Sequence, residues 1–463
     1  MLFGMSHNAR RQPLSSRIVL PYNERDMSTV RDTPGTQNVL IIAFHFPPQR
    51  GSSGLLRTLK FCRYLPEFGW KPTVLTAHLR AYESIETSGV SSIPADLPVF
   101  RAQAWDAKRH LGFRGHYVGW MALPDRWVSW LIAAIPAGLR LIQKRHIDII
   151  FSTFPIASAL LLAYALHRLS GKPWVVDLRD SMTEEGYPRE PRARQVWRWI
   201  ERKAMQRADR VIFTAASTRR MYLNRYPRLR PDNCLLIPNG FDEEDFWGLL
   251  PGRQIEDIHF RPLKLLHTGL LYPEERDPRP FFRALARLKQ DGVIASDALK
   301  IVLRAPGSED LYHRLIREFG INELIELQEH VPYKKALQEC AEADGLLLFQ
   351  AANCDHQIPA KAYEYLRLRK PIFALTTYTG DTAALLNEVG GATIAELADE
   401  DDIYDRLPRF LEALRAATHP LPDTHRIQHY ARRNQAEQLA KCFSDLNKQT
   451  SSLAAERLPG LTP

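Results

Sequence analysis

The stretch that decides the fold of this 463-residue chain runs from Gln357 to Leu375 and reads Gln-Ile-Pro-Ala-Lys-Ala-Tyr-Glu-Tyr-Leu-Arg-Leu-Arg-Lys-Pro-Ile-Phe-Ala-Leu. Pro359 stands where a helix begins, because its fixed φ suits the first turn and its missing N–H loses nothing there. Lys370-Pro371 predicts the end of that helix, and the Ile-Phe-Ala-Leu run predicts a buried strand. The order of loop, short helix, turn and strand is typical of a parallel nucleotide-binding sheet.

Two charged residues of this stretch, Lys361 and Glu364, are candidates for ligand binding. They are three residues apart, so a helix places both on one face near its N-terminus. A helix N-terminus with a lysine suits a diphosphate, and a carboxylate one turn later can accept hydrogen bonds from ribose hydroxyls. An exposed Lys–Glu pair on an ordinary helix explains the same spacing, and spacing alone favours that second interpretation.

The segment Pro359–Leu366, with the Lys-Pro that follows, resembles the Pro-x-Lys-x-x-Glu-Tyr-Leu … Lys-Pro signature of the retaining GT-B glycosyltransferases, specifically the family 4-like group. The resemblance implies that Glu364 holds the donor ribose and that Lys361 lies beside the donor diphosphate. Many members carry a second glutamate eight residues earlier, near the donor sugar, where this chain has His356. We therefore expect His356 on the donor-sugar side.

The first half of the chain opens with the apolar run 39–44, which predicts a strand buried on both faces. A loop with Gly51 and Gly54 follows, and then a helical pattern over Leu55–Phe68. Glycines let backbone N–H groups approach a ligand closely, although a plain tight turn explains them equally well. The run 44–57 also resembles the opening of the family, where this loop faces the acceptor and the donor phosphates. That resemblance implies a phosphate or acceptor contact for Arg57.

A second strand, predicted from Trp174 onward, ends in the charged run Asp177-Leu-Arg179-Asp180. Carboxylates at the C-terminal end of a parallel strand stand at the ligand crevice of an α/β sheet. The family has a similar Asp-x-Arg-Asp run, which lines the acceptor side of the cleft. The resemblance implies that Asp180 deprotonates or orients the acceptor hydroxyl. A structural Asp–Arg pair is the competing interpretation.

The second half repeats the alternation of strands and helices after a run, Pro238–Asp242, that resembles the Pro-Asn-Gly-x-Asp of the family before its interdomain linker. A strand from Leu263 leads into Gly269, where a glycine would allow close approach of the backbone to the donor. Gly380 and Thr382 lie where the later phosphate loop of the family would be. The predicted donor-binding set is Gly269, Arg276, Lys361, Glu364, Gly380 and Thr382.

These patterns predict an α/β protein of the GT-B type, with two doubly wound Rossmann-like domains that face a central cleft. The expected division is a flexible leader at 1–36, an N-terminal acceptor-binding domain at 37–245, a linker at 246–262, a C-terminal donor-binding domain at 263–423, and a C-terminal helix and tail at 424–463. A length of 463 residues agrees with two or three domains.

Composition narrows the class of protein further. The chain is 45% hydrophobic and 25% charged, which is typical of a globular protein. Its net charge of +9 suits an anionic substrate or an anionic membrane surface. No compact Lys/Arg run stands beside a known nucleic-acid module, so we expect no nucleic-acid partner. The five scattered cysteines, without a Cys-x-x-Cys pair, indicate reduced cytosolic thiols and argue against a zinc site or a disulfide framework.

Membrane attachment is expected to be peripheral at most. No signal peptide is visible, and the most apolar long stretch, 127–142, is shorter than the roughly 20 residues that span a bilayer. Three tryptophans (Trp120, Trp127 and Trp130) lie among basic and apolar residues, and a basic helix is predicted over Arg192–Arg207. Such residues suit the headgroup level of a membrane. Packing of the tryptophans on the sheet explains them at least as well.

The resemblance implies transfer of a hexosyl residue from a nucleotide-diphospho-sugar to a glycan or lipid-linked acceptor hydroxyl, with retention of anomeric configuration. We expect this in cell-surface polysaccharide or lipopolysaccharide synthesis, in the cytoplasm or at the inner face of the cell membrane. No Asp-x-Asp dyad of the metal-dependent type stands at a strand end, so we expect no required metal and no further cofactor. Two alternatives remain: a sugar-nucleotide epimerase of the same fold, and a catalytically silent binding protein in a polysaccharide assembly complex.

Overall fold

The structure, a computed structural model, describes residues 36–49, 53–86, 92–110, 122–249, 261–273 and 275–456. Within this part of the chain, strands and helices alternate through two successive parallel sheets. The elements of the first half are β1 (Gln37–Ile42), α1 (Ser53–Tyr64), β2 (Trp70–Ala77), β3 (Val99–Ala102), α2 (Ala107–His110), α3 (Trp130–Lys144), β4 (Ile149–Thr153), α4 (Ala157–Ser170), β5 (Trp174–Leu178), α5 (Pro191–Arg207), β6 (Arg210–Phe213), α6 (Ala216–Arg225) and β7 (Cys234–Leu236).

The second half builds the second sheet and ends in two helices beyond it. Its elements are β8 (Leu263–Thr268), α7 (Arg279–Gln290), β9 (Leu299–Arg304), α8 (Glu309–Glu318), β10 (Ile325–Gln328), α9 (Tyr333–Glu342), β11 (Gly345–Phe349), α10 (Ala360–Arg367), β12 (Ile372–Leu375), α11 (Asp381–Val389), β13 (Ala392–Ala395), α12 (Glu400–Arg415), α13 (Thr424–Gln428) and α14 (Arg432–Glu456).

Both sheets have the doubly wound strand order. The first reads β3-β2-β1-β4-β5-β6-β7 and the second β10-β9-β8-β11-β12-β13, with parallel pairing throughout. The direction of winding reverses between β1 and β4 and again between β8 and β11. Ligands of such sheets bind beyond the carboxyl ends of the strands at these switch points. The topology therefore marks two loop clusters, one in each domain, as the place to look for a site.

Burial explains why these strands form. The residues Val39–Ile42 of β1 and Leu346–Leu348 of β11 are completely inaccessible to solvent, as central strands covered on both faces must be. Each sheet carries an apolar core on both faces. Three of the edge strands, β3, β7 and β13, are three or four residues long and only partly buried, and the sequence patterns did not predict them.

The C-terminal helix α14 belongs to the core of the first domain. Phe443 packs edge-on against Trp70 with ring centroids 5.1 Å apart, and the indole nitrogen of Trp70 donates a hydrogen bond to Ser444 Oγ at 3.1 Å. A single polar helix was expected over 424–446. The structure has α13, a turn and then α14, because the backbone at 430–432 bonds to Phe241 at the end of the first domain.

The apolar stretch with tryptophans is a packed part of the first domain rather than an exposed aromatic group. Trp130 is completely buried, and Trp127 packs on Phe44 and is covered by the Arg126 guanidinium 4.4 Å from its ring. Trp120 lies outside the described residues. Pro136 lies inside α3. None of the helices in the described ranges is long and apolar enough to cross a bilayer.

Candidate donor and acceptor site

The centre of the candidate site is Lys361 at the start of α10. Pro359 caps this helix and points Lys361 back toward the end of β8. The Lys361 ammonium donates a hydrogen bond to the Thr268 carbonyl and lies 3.2 Å from His267 Nε2. Gly269 has a φ of +89°, and a Cβ there would stand 3.3 Å from Lys361 Nζ. A glycine is thus required both by the backbone conformation and by the closeness of the lysine.

This ammonium is desolvated but has no anionic partner. Burial, and then the nearby charge of Arg276, lower the pKa of Lys361 to about 7, while Glu364 partly opposes the shift. Among the described residues, no carboxylate oxygen lies within 4.0 Å of its Nζ. The surface Lys–Glu pair that spacing alone favours is therefore not formed. A desolvated cation held by a carbonyl and a histidine is suited to an anionic ligand.

Glu364 lies one turn further along α10 and is partly buried. Its Oε1 accepts a hydrogen bond from the Tyr333 hydroxyl at 2.8 Å. Burial raises the pKa of Glu364, and the Tyr333 hydrogen bond acts against that shift. The second oxygen has no hydrogen-bond partner in the described part of the chain, which leaves it available to a ligand hydroxyl. Tyr333 is a site residue that the sequence analysis missed, because it lies 31 positions away and on another helix.

Arg276 joins the same cluster from the loop after β8. Its Nη1 donates to the Leu270 carbonyl at 2.9 Å, and its guanidinium lies 5.5 Å from the ring centroid of Tyr272. Its Nε is buried without a partner among the described residues. Arg276 and Lys361 donate to the carbonyls of Leu270 and Thr268, two residues apart, so both cations of the predicted donor-binding set lie at the end of β8.

Gly380 and Thr382 lie at the N-terminus of α11. A Cβ on Gly380 would meet Thr377 Oγ1 at 2.7 Å and the Asp355 Cβ at 2.9 Å, so packing requires a glycine there. Thr382 is completely buried, and its hydroxyl donates to the Gln357 carbonyl at 3.2 Å. The Thr382 hydroxyl is thus bonded within the protein. Only the backbone N–H groups at the start of this helix are left for the predicted phosphate contact.

His356 bridges the two domains. Its Nε2 lies 2.8 Å from Oε1 of Glu184, which follows β5 in the first domain. Formation of this pair raises the pKa of His356 and, against the effect of burial, lowers the pKa of Glu184. The His356 carbonyl also accepts a hydrogen bond from Thr218 at 2.6 Å, and Asp381 accepts two from Ser217 at 2.8 Å. No local sequence signal pointed to Glu184.

Asp180 is the predicted acceptor-side carboxylate, and it is exposed to solvent beyond the carboxyl end of β5. Desolvation by the surrounding protein raises the pKa of Asp180. The charge of Arg179 opposes that shift, whereas the charges of Asp177 and Glu184 add to it. His356 of the second domain also opposes the rise in the pKa of Asp180.

Arg57 and Asp177 are too deeply buried for the direct ligand contact predicted for them. Both are buried, with Arg57 Nη2 2.9 Å from Asp177 Oδ1 and Nε 3.1 Å from Oδ2. The remaining Arg57 donors bond to the carbonyls of Ile237 and Pro238. The predicted phosphate or acceptor contact is therefore corrected for both residues. They form an internal ion pair that ties α1 and β5 to the end of the first domain. Gly51 lies outside the described residues.

Comparison with known proteins supports the two-domain fold. Residues 46–240 match the family model described as the glycosyl transferase 4-like domain. A glycosyltransferase from Rickettsia africae superposes with a TM-score of 0.57 at 10% identity, over 89% of this chain and 98% of its own. HepE of Anabaena, solved in complex with UDP-glucose, superposes with a TM-score of 0.55 at 14% identity, over 90% of this chain and 99% of its own. The fold is GT-B.

A further GT-B structure, the lipopolysaccharide outer core galactosyltransferase WaaB, superposes with a TM-score of 0.54 at 11% identity, over 89% of this chain and 100% of its own. A search of curated proteins by sequence gives no match. Asp180 lies on the first domain, and His356 lies on the second, where it contacts Glu184 of the first. Lys361, Arg276, Glu364 and Gly269 cluster within the second domain.

Proposed function

We propose that this protein is a retaining glycosyltransferase that moves a hexosyl residue from a nucleotide-diphospho-sugar to an acceptor hydroxyl. The observation that carries the proposal is Lys361, a desolvated ammonium that has no anionic partner among the described residues and lies at a helix start beyond a topological switch point. The match of residues 46–240 to the glycosyl transferase 4-like domain supports it. The structural similarity to HepE, whose structure holds UDP-glucose, suggests the class of donor.

The chemistry asked of the site is stabilisation of the departing nucleoside diphosphate. Its negative charge grows as the glycosidic bond breaks, so fixed cations aimed at it bind the transition state more tightly than the ground state. Lys361 and Arg276 supply those cations, and Gly269 lets the backbone approach. Glu364 holds the ribose through its free oxygen. Asp180, with its raised pKa, accepts or orients the acceptor proton, and His356 lies on the donor-sugar side.

Two measurements test this function on the purified full chain. A panel of sugar nucleotides is first screened for thermal stabilisation, because a ligand that binds only the native state raises its stability by mass action. The stabilising nucleotide is then incubated with candidate glycan and lipid-linked acceptors, and the product is analysed with its anomeric configuration. A new glycoside with the donor configuration supports the proposal, an epimerised nucleotide supports the epimerase, and binding without turnover supports the silent binding protein.

Metal independence is the first expected result. Lys361 and Arg276 take the place of a divalent cation, and the described residues contain no cluster of three or more histidine, cysteine, aspartate or glutamate side chains able to hold one. We expect EDTA to leave turnover nearly unchanged. Activity that EDTA abolishes and manganese restores would show that the phosphate assignment is wrong.

A membrane-held glycan is the proposed acceptor, since one face of the first domain is both apolar and basic. Here α4 packs between α3 and α5. Ile132 of α3 is 76% exposed, Leu169 of α4 63% and Trp199 of α5 40%. Arg198 and Arg202, on the same helix as Trp199, are also exposed. This face replaces the tryptophan group expected from the sequence, and it suits anionic headgroups at the cytoplasmic surface.

We expect reversible binding to anionic vesicles that weakens with salt, because each basic residue near such a surface contributes about 1 kcal/mol. Co-sedimentation with anionic and neutral liposomes at low and high salt measures it. The Arg198→Glu/Arg202→Glu variant should stay in the supernatant. Arg314→Glu/Arg317→Glu, which changes two exposed arginines of α8 in the other domain, should bind like the wild type. Equal recovery of all proteins in the supernatant would point to a soluble acceptor.

A further inference from the structure

His267, the last residue but one of β8, is completely inaccessible to solvent. Strand β8 pairs with β11 at Leu265 and Leu266, and His267 follows where this pairing ends. Its Nδ1 lies 2.9 Å from the carbonyl oxygen of Leu347 on β11, and its ring packs edge-on against Phe349 with ring centroids 5.2 Å apart. The imidazole is therefore held rigidly at the switch point of the second sheet, beyond which such a sheet binds its ligands.

The other ring nitrogen of His267 faces the ammonium of Lys361, with Nε2 3.2 Å from Nζ. Burial, and then the charge of Lys361, lower the pKa of His267 well below its usual value, and the hydrogen bond to Leu347 opposes that shift. The ring is therefore neutral at pH 7 and carries a single N–H. That proton belongs on Nδ1, because the Leu347 carbonyl can only accept. Nε2 is then an unprotonated acceptor for one N–H of Lys361.

The second acceptor of the Lys361 ammonium, the carbonyl of Thr268, is held in place by the same helix. The backbone N–H and the hydroxyl of Thr268 each lie 3.1 Å from the Tyr365 hydroxyl. Lys361 and Tyr365 are four residues apart and so share one face of α10. An ammonium has three N–H donors. Two fixed acceptors, one of them His267, thus fix the direction of the third N–H.

We propose that His267 is the positioning residue of Lys361: its neutral Nε2 accepts one N–H of the ammonium and so aims the remaining N–H at the diphosphate of the donor. The identity of the ligand rests on the proposed function, whereas the contact between the two side chains does not. The same hydrogen bond favours the charged form of a lysine whose charge burial disfavours. His267 thus sets both the direction and the charge of this cation without touching the ligand.

The other ionisable groups that act on Lys361 are Arg276, Glu364 and Cys340, the last of them on α9. The charge of Arg276 lowers the pKa of Lys361, whereas Glu364 opposes that shift. Burial raises the pKa of the Cys340 thiol to about 12, so this group is uncharged at pH 7. A substitution at 267 leaves all three in place. A change in the titration of Lys361 in such a variant therefore reports on its contact with His267.

Two substitutions separate the positioning role from a purely structural one. Glutamine carries its amide oxygen as many bonds from Cα as the Nε2 of histidine, so His267→Gln keeps an acceptor for Lys361 and loses the donor to Leu347. Asparagine carries its amide nitrogen as many bonds from Cα as Nδ1, so His267→Asn keeps the donor to Leu347 and loses the acceptor. A structural histidine predicts the greater loss of donor binding in His267→Gln. A positioning histidine predicts it in His267→Asn.

His419→Asn is the matched control. His419 is also a buried histidine of the second domain with both ring nitrogens hydrogen-bonded. Its Nδ1 lies 2.8 Å from the Pro420 carbonyl and its Nε2 lies 3.0 Å from the Thr393 hydroxyl, beyond the end of α12. Replacing it changes a buried imidazole of the same domain without changing any partner of Lys361.

The first measurement is titration of the full chain, from pH 5 to 9, with the nucleoside diphosphate that binds best. His267→Asn should weaken binding at pH 7 about 10- to 100-fold, because loss of a hydrogen bond to a charged group moves the titration of Lys361 down by about one to two pH units. The loss should shrink toward pH 5, where the ammonium is charged in both proteins. His267→Gln should stay close to the wild type, and His419→Asn should match it.

The pH dependence of the free energy of unfolding tests the same contact without a ligand. The unfolded chain binds more protons than the folded one between the folded and unfolded pKa values of Lys361, so stability rises with pH across that window. The rise should begin near pH 7 in His267→Gln and at a lower pH in His267→Asn. Both variants lack the histidine, so its own titration cancels in the comparison.

Every outcome bears on the role of His267. Loss of nucleotide affinity in His267→Gln would show a structural role and overturn the proposal, whether or not His267→Asn folds. A deficit of His267→Asn that is the same at pH 5 and pH 7, or an equal pH dependence of stability in the two variants, would overturn it too. If no nucleotide binds to the wild type, the proposed function fails, and the comparison of stabilities alone decides whether His267 positions Lys361.

Discussion

Glu364→Ala should weaken binding of the nucleotide donor about 10- to 100-fold while the fold survives. A carboxylate that receives ribose hydroxyls makes charged hydrogen bonds, and truncating one costs about 1.5–3 kcal/mol, which gives that range of affinities. Calorimetric titration with the best nucleoside diphosphate measures the change. The fold should tolerate the substitution, because the carboxylate of Glu364 has no ion-pair partner within the described residues and one hydrogen-bond donor, Tyr333.

Glu388→Ala is the matched control for this experiment. Like Glu364, Glu388 is a glutamate of the second domain that accepts a hydrogen bond from a tyrosine hydroxyl, that of Tyr430 at 3.1 Å. It lies near the C-terminal end of α11, whereas the predicted phosphate contact is at the N-terminus of that helix. Its substitution should leave donor affinity unchanged. Equal affinities of the wild type and Glu364→Ala would remove the ribose assignment.

Lys361→Met should lower kcat about 10²- to 10³-fold, the effect typical of removing one preorganised donor from developing negative charge. The same variant should be more stable than the wild type at neutral pH. The pKa of Lys361 falls from its ordinary 10.5 to about 7 on folding, so the ammonium destabilises the folded state. The unfolded chain binds more protons between these two values, and the free energy of unfolding should therefore rise with pH across that window. Methionine has no such charge to bury.

The pH dependence of donor binding gives a second readout of Lys361. A diphosphate selects the charged ammonium, so binding takes up a proton and donor affinity should fall as the pH rises above about 7. Titrations from pH 6 to 9 measure this slope, which should disappear in Lys361→Met. Lys335→Met, at an exposed lysine of α9, should keep the wild-type slope and kcat. A wild-type affinity independent of pH, or a Lys361→Met variant with full turnover, would contradict the role of this lysine.

Much of the architecture follows from local sequence. Central strands such as β1 and β11 are continuous apolar runs, and their alternation with helical patterns predicted two doubly wound domains. The glycine at 269 and the lysine at 361 could be placed at a strand end and a helix start from neighbouring residues, and the family resemblance then implied their ligand contact. Edge strands such as β3 were missed, since a strand with fewer covered neighbours has no need of a continuous apolar run.

The sequence by itself predicted the fold class, because periodicity, helix starts and strand ends depend on residues close together in the chain; the donor-side candidates came from the resemblance to the family 4-like glycosyltransferases. Only the tertiary structure decided that Arg57 and Asp177, 120 positions apart, neutralise each other in the interior. It also decided that Glu184 of the first domain meets His356 of the second, 172 positions away. Residue spacing carries no information about such pairs. Such pairs form where elements that are distant in the sequence pack together. Burial there decides whether a charged side chain is paired within the protein or remains available to a ligand.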